Sequence, residues 1–120
     1  MIKVLIVDDA IFMRASIRRM LETNGFEVVG EAENGLVGLK KYFELNPDVV
    51  TMDITMPEMT GIEALKAIRQ KDPTAKIVMV SAMGQEGLVR ESIISGAKTF
   101  IVKPFKEDLI VETLKKIAAM

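Results

Sequence analysis

Cysteine is absent from the 120 residues. Disulfides and thiolate metal sites are therefore excluded, and the composition fits a reducing cytoplasm, the expected compartment. Histidine is absent too, which excludes imidazole base catalysis and a His-ligated zinc. Net charge is nearly lacking: 16 basic against 17 acidic side chains leave −1. No bulk field draws the chain to nucleic acid or anionic lipid, so neither is expected as a partner. The amino-terminal apolar run is only about five residues, too short for a signal-peptide core or a membrane span. Low-complexity stretches are missing. So is a glycine-rich loop after the first strand segment, which argues against a nucleotide-binding fold.

What is there is an ordinary globular mixture, 49% hydrophobic and 28% charged. The length suits one domain with a real core, and a single domain over residues 1–120 is expected, with no linker after the last helical segment. Short apolar runs alternate with longer amphipathic segments. Lys3 to Val7, Glu27 to Ala32, Val49 to Met52, Ala75 to Val80 and Thr99 to Val102 read as strands. Met13, Ile17, Met20 and Leu21 recur at helical spacing before a stop at Gly25. Leu36 to Leu45 reads as a helix weakened by Gly38. Thr60 and Gly61 open a third helix, closed before Pro73. Leu88 to Ile94, stopped by Gly96, and Ile110 to Ala118 complete five helices. Strands without a polar face imply a parallel sheet covered on both sides, and right-handed crossovers make it doubly wound. Such α/β sheets place ligands at the carboxyl ends of their strands.

Those ends carry an unusual set. The first strand ends in Asp8 and Asp9, the third in Asp53, the fourth in Ser81 and the fifth in Lys103. Singly, each has an ordinary reading as a turn, cap or solvated loop residue. Jointly, three carboxylates, a hydroxyl and an ammonium share one edge. Clustered carboxylates raise each other's pKa unless compensated. Lys103 offsets one charge and a divalent cation would offset the others. Oxygen-only ligands suit Mg²⁺, which keeps waters and accepts phosphate oxygens. A carboxylate beside Mg²⁺ and a lysine can attack phosphorus and form an aspartyl phosphate.

The stretches "VLIVDDA", "TMDITMPEMTG", "VSAMG" and "GAKTFIVKPF", in this order, resemble the receiver domain of two-component response regulators. The resemblance covers essentially the whole chain. "DDAIFMR", "DITMPEM" and "SAMGQ" further resemble its single-domain chemotaxis members. The resemblance implies a flavodoxin-like fold of five parallel strands in the order 2-1-3-4-5 with five helices. It implies that Asp53 is the phosphoacceptor and Asp9 a direct Mg²⁺ ligand. Asp8 would help directly or through water, and the Thr55 backbone carbonyl would complete the protein ligands. Lys103 would pair with Asp53 or the phosphoryl oxygens, through a cis bond to Pro104. Ser81, Ala82 and Lys103 would bind the phosphoryl group on Asp53, with small Ala82 leaving access and Phe100 moving with Ser81. Thr55 and Met83 stand where the family tunes hydrolysis. Neither is an obvious water-activating group, so fast built-in dephosphorylation is not expected.

The resemblance implies a histidine kinase as phosphoryl donor, and with no histidine of its own the chain would take the phosphoryl group from outside. The resemblance points to a flagellar motor switch as output, a phosphatase as reset, and a monomer that is a switch and not an enzyme. The moving element would be "SAMGQEGLVRE", in which Gly84 and Gly87 read equally as hinges or simple turn residues. Val89, Ile93 and Phe100, with Lys103 and Lys106 nearby, read as a partner surface; Ile93 and Ile94 read equally as core. Three alternatives stay open. They are a phosphorylation-independent binding module, a phosphorelay intermediate, and a Mg²⁺-dependent phosphatase, ranked low because Thr55 replaces the second acid such hydrolases carry.

Overall fold

β-branched and aliphatic residues fill five short segments, and each forms a strand. They are β1 (Lys3–Val7), β2 (Glu27–Ala32), β3 (Val49–Asp53), β4 (Ile77–Ser81) and β5 (Thr99–Val102). Between and after them run α1 (Ile11–Thr23), α2 (Gly35–Leu45), α3 (Gly61–Lys71), α4 (Glu86–Ile94) and α5 (Glu107–Ala118). The structure, a computed structural model, describes all 120 residues. All four strand pairings are parallel, and the order is β2-β1-β3-β4-β5. The doubly wound sheet expected from the sequence is therefore the fold. No helix is long and apolar enough to cross a membrane.

Burial on both faces follows from the strand period of two. Val4 and Ile6 join one core with Ile17, Leu21, Ile110 and Leu114, under α1 and α5. Leu5 and Val7 join the other, with Met52, Leu65, Ile68 and Met79, under α2 and α3. Gly38, which weakens α2 by propensity, has a packing reason. An added Cβ would stand 3.0 Å from both methyls of buried Val7, so its absence lets α2 lie close on β1.

Some boundaries differ from the sequence reading. β4 begins at Ile77, because Asp72 holds Thr74 through N–H and hydroxyl bonds and Ala75 closes a turn on the Asp72 carbonyl. α4 and α5 start before the first apolar residue of their helical pattern, since Glu86-Gly87 and Glu107-Asp108 carry no apolar signal, and α1 starts at Ile11, where exposed Ile11 and Phe12 lie off the buried stripe. α4 is the least anchored helix. Only Ser92 is fully buried in it, and Ile93 and Ile94 are both exposed, which settles their open reading against core.

α3 starts with a reciprocal cap. Thr60 Oγ1 accepts the Glu63 N–H at 3.2 Å, and Glu63 Oε1 accepts the Thr60 N–H at 2.9 Å. This fixes where the β3–α3 loop ends. Thr60→Ala is expected to lower stability by about 1 kcal/mol, read from the urea midpoint, with most of it retained in Thr60→Ser.

Candidate functional site

β1 and β3 are neighbours at the point where the strand order reverses, so their carboxyl ends open one crevice. Asp8 and Asp9 arrive from β1 and Asp53 from β3. One carboxylate oxygen from each lies within 4.8 Å of the others. The two adjacent acids are not equivalent. Asp8 is 1% exposed and Asp9 is exposed. Asp8 Oδ1 accepts the Ala10 N–H at 2.8 Å, and its Oδ2 takes Lys103 Nζ at 3.0 Å. The Asp8 carbonyl is held by Arg14 Nη1 at 2.6 Å. Asp8 is thus braced from three sides, while Asp9 faces the opening.

Lys103 stands 3.7 Å from Asp53 Oδ1, so one ammonium serves two acids and lies closer to Asp8 than to Asp53. Burial pushes the Asp53 pKa up to about 6, the negative charge of Asp8 adds to this, Lys103 opposes it, and Asp9 adds again. The site is short of positive charge. Three hard oxygen donors with a charge deficit fit a divalent cation such as Mg²⁺.

The backbone around Asp53 is shaped by a broken rung. Val80 accepts the Ile54 N–H, and Ser81 next along β4 accepts the Lys103 N–H. Bonding direction alternates along a strand, so the Ala82 N–H turns back toward β3. Its ladder partner there would be the Ile54 carbonyl, but that oxygen accepts the Gly61 N–H at 2.8 Å. A Cβ at Gly61 would fall 1.9 Å from the Asp53 carbonyl oxygen. Only glycine lets the chain pass close enough to take the rung away and leave the Ala82 N–H at the mouth of the crevice.

Residues 4–115 match the family described as the response regulator receiver domain. The chain belongs to this family. It is 59% identical over 118 residues to the chemotaxis protein CheY of Listeria monocytogenes, covering 98% of this chain and 99% of that one. To the CheY of Thermotoga maritima it is 56% identical over 116 residues, 97% of each. Its fold superposes with a TM-score of 0.91 on the CheX-CheY-BeF3-Mg complex from Borrelia burgdorferi, at 39% identity, over 97% of this chain and 88% of that chain.

The remaining positions named from the sequence divide between the carboxyl edge of the sheet and the side of β5 that α4 covers. Ser81 is buried at the end of β4, and its Oγ has no hydrogen-bond partner. The Lys103–Pro104 peptide is cis. Thr55 is exposed, with its hydroxyl accepting Gln85 Nε2; Met83 is exposed in the β4–α4 loop. Phe100 stands outward, 42% exposed. β5 is an edge strand whose Ile101 faces the α1–α5 core, so Phe100 and Val102 face the side that α4 covers incompletely. With Val89, Met83 and Ser81 they line an apolar groove of about 390 Å³. Lys103 turns to Asp8 and away from this surface, while Lys106 is exposed.

Three residues of the site escape a reading of strand ends. Arg14 braces Asp8 from one turn into α1, Gly61 shapes the backbone from α3, and Gln85 reaches in from α4. Only the glycine has a sequence signal, since it follows a cap residue at the end of a loop.

The Asp53 pKa sets a pH dependence of stability. Held at about 6 against the ordinary 3.8, the folded state binds this proton more tightly than the unfolded chain. The resulting stability is complete below about pH 4 and is lost as pH rises through about 6. At pH 7 the ionised group costs the fold up to about 3 kcal/mol. In metal-free buffer Asp53→Asn is expected to unfold at higher urea than the parent at pH 7, with the difference vanishing toward pH 4. Mg²⁺ is expected to narrow the gap at pH 7 by stabilising the parent alone.

Proposed function

We propose that the chain is a phosphorylation-driven signalling switch with Asp53 as phosphoacceptor. The observation that carries this reading is one buried carboxylate, Asp53, between two acids at the carboxyl edge of the sheet and 3.7 Å from an ammonium. Titrating near 6, Asp53 is an anion at pH 7 and thus a competent nucleophile. One of its oxygens attacks the phosphorus of a phosphohistidine on a histidine kinase. The P–N bond breaks, its electron pair returns to the imidazole nitrogen, and that nitrogen takes a proton from water. Asp8, Asp9, Asp53 and the Thr55 carbonyl are the residues that would hold Mg²⁺. When bound, the ion supplies positive charge against the transferring phosphoryl oxygens. Lys103 adds a second positive charge there, and the Ala82 N–H and Ser81 hydroxyl donate to the oxygens.

The unpartnered Ser81 hydroxyl supports this role. A buried hydroxyl without a partner costs about 1–3 kcal/mol, and a phosphoryl oxygen would remove that cost. Movement of Ser81 changes the wall it shares with Phe100 and Val89. The groove between α4 and β5 is then the output surface, with Val89, Phe100 and Val102 as its apolar contacts and Arg90 as a cation in its lining. By likeness to the chemotaxis relatives, the output partner is a flagellar motor switch protein. By likeness to the Borrelia complex, Mg²⁺ and a CheX-like partner are taken up, and a separate phosphatase resets the switch. We infer a cytoplasmic monomer, since the kinase's phosphohistidine must reach an open crevice.

Incubation with Mg²⁺ and a small acyl phosphate is expected to add one phosphoryl group by intact mass. Asp53→Asn and an EDTA-treated parent are expected to gain none. An equal adduct on Asp53→Asn would move the acceptor elsewhere.

A further inference from the structure

The carboxamide of Gln85 lies across the mouth of the crevice and belongs to neither the acid cluster nor the core. Its Oε1 accepts the Ala82 N–H at 2.7 Å, and its Nε2 donates to Thr55 Oγ1 at 2.9 Å. One side chain therefore ties the β4–α4 loop to the β3–α3 loop. Gln85 also occupies the N-cap position of α4, yet its side chain makes no capping bond to that helix. It bonds backwards, to the N–H that the broken rung leaves without a ladder partner.

The surroundings allow the tie to open. Gly84, just before Gln85, has φ +89, and a Cβ added at Gly84 or Gly87 would meet nothing within 4 Å. The loop is loosely packed, and α4 behind it is the helix with the fewest buried residues. Gln85 itself lines the α4–β5 groove. Its bonds are neutral amide bonds. An anionic phosphoryl oxygen makes a hydrogen bond to an N–H about twice as strong, so it outcompetes the carboxamide.

We propose that Gln85 restrains phosphoryl acceptance: its carboxamide stands in for a phosphoryl oxygen on the Ala82 N–H and must surrender that donor when Asp53 is modified. This rests on Asp53 being the acceptor. Before modification the amide keeps the Ala82 N–H aimed and occupied. On modification it leaves, the Thr55 tie opens, and the first turn of α4 is released. The same event thus links the acceptor to the groove through one side chain.

The test compares modification by a small acyl phosphate at fixed Mg²⁺, followed by intact mass, in the parent, Gln85→Ala, Gln85→Glu and Thr55→Val. Gln85→Ala is expected to react roughly three- to tenfold faster, the effect of losing one competing hydrogen bond. Thr55→Val removes only the tie, keeps the backbone carbonyl, and is expected to react about twofold faster. Gln85→Glu keeps an acceptor on the N–H and sets a like charge against the arriving phosphoryl group, so it is expected to react more slowly than the parent. A merely structural role for Gln85 predicts the opposite for Gln85→Ala: an unchanged or slower rate with reduced stability. That result would overturn the proposal while leaving Asp53 as acceptor. No adduct on any of the four proteins would overturn both.

Discussion

The contact between Lys103 and Asp8 is the interaction on which the site depends. Asp8 is almost wholly buried, and a buried carboxylate without partners costs several kcal/mol. Lys103 meets one oxygen and the Ala10 N–H the other. The ion pair spans 95 residues of sequence and joins the ends of the first and last strands. It also leaves Asp53 only partly compensated at 3.7 Å. Burial and the charge of Asp8 raise the Asp53 pKa, and Lys103 at that distance opposes them only in part, which leaves the cluster with excess negative charge that a cation would offset.

Stability is distributed unevenly around this edge, in a way that suits a switch. β1, β3 and β4 are buried on both faces and hold the acids in place. α3 is anchored by its reciprocal cap and by a glycine that rides on the Asp53 carbonyl. On the other side, α4 buries a single residue fully and begins at a loop with little packing around it. A charge added at Asp53 therefore meets a rigid wall toward β1 and a yielding one toward α4. Regions with few buried contacts are the ones that open at low free energy, and the apolar groove lies along that yielding side.

The fold was largely legible in the sequence, because its signals are local. An apolar run such as Val4 to Val7, closed by acids, reads as a buried strand and as a strand end at once. Thr60 with Glu63 marks a helix start. Gly38 was legible as a cost to α2 but not as a contact, since its partner Val7 lies on another element. The helix starts at Glu86 and Glu107 were read late because a first residue pair without apolar side chains shows no period, and the start at Ile11 because Ile11 and Phe12 are apolar but exposed, off the buried stripe. The acids, Ser81 and Lys103 could be named as companions from their common place at strand ends. Phe100 was named as the aromatic that moves with Ser81; that it stands outward before any phosphorylation, on an edge strand that α4 covers only in part, depends on tertiary packing.

By itself the sequence determined the parallel sheet, the edge at which chemistry gathers, and the residue types that gather there. Hydrophobic period and strand ends are written in neighbouring residues, so they survive without coordinates. The tertiary structure alone decided that Lys103 favours Asp8, that Asp8 is braced while Asp9 faces the opening, and that Gln85 holds the Ala82 N–H. Each of these depends on which backbone group faces which strand and on partners tens of residues away. Strand alternation already suggested that the two acids differ; which one is buried and which is exposed was decided by the packing of the chain just beyond β1.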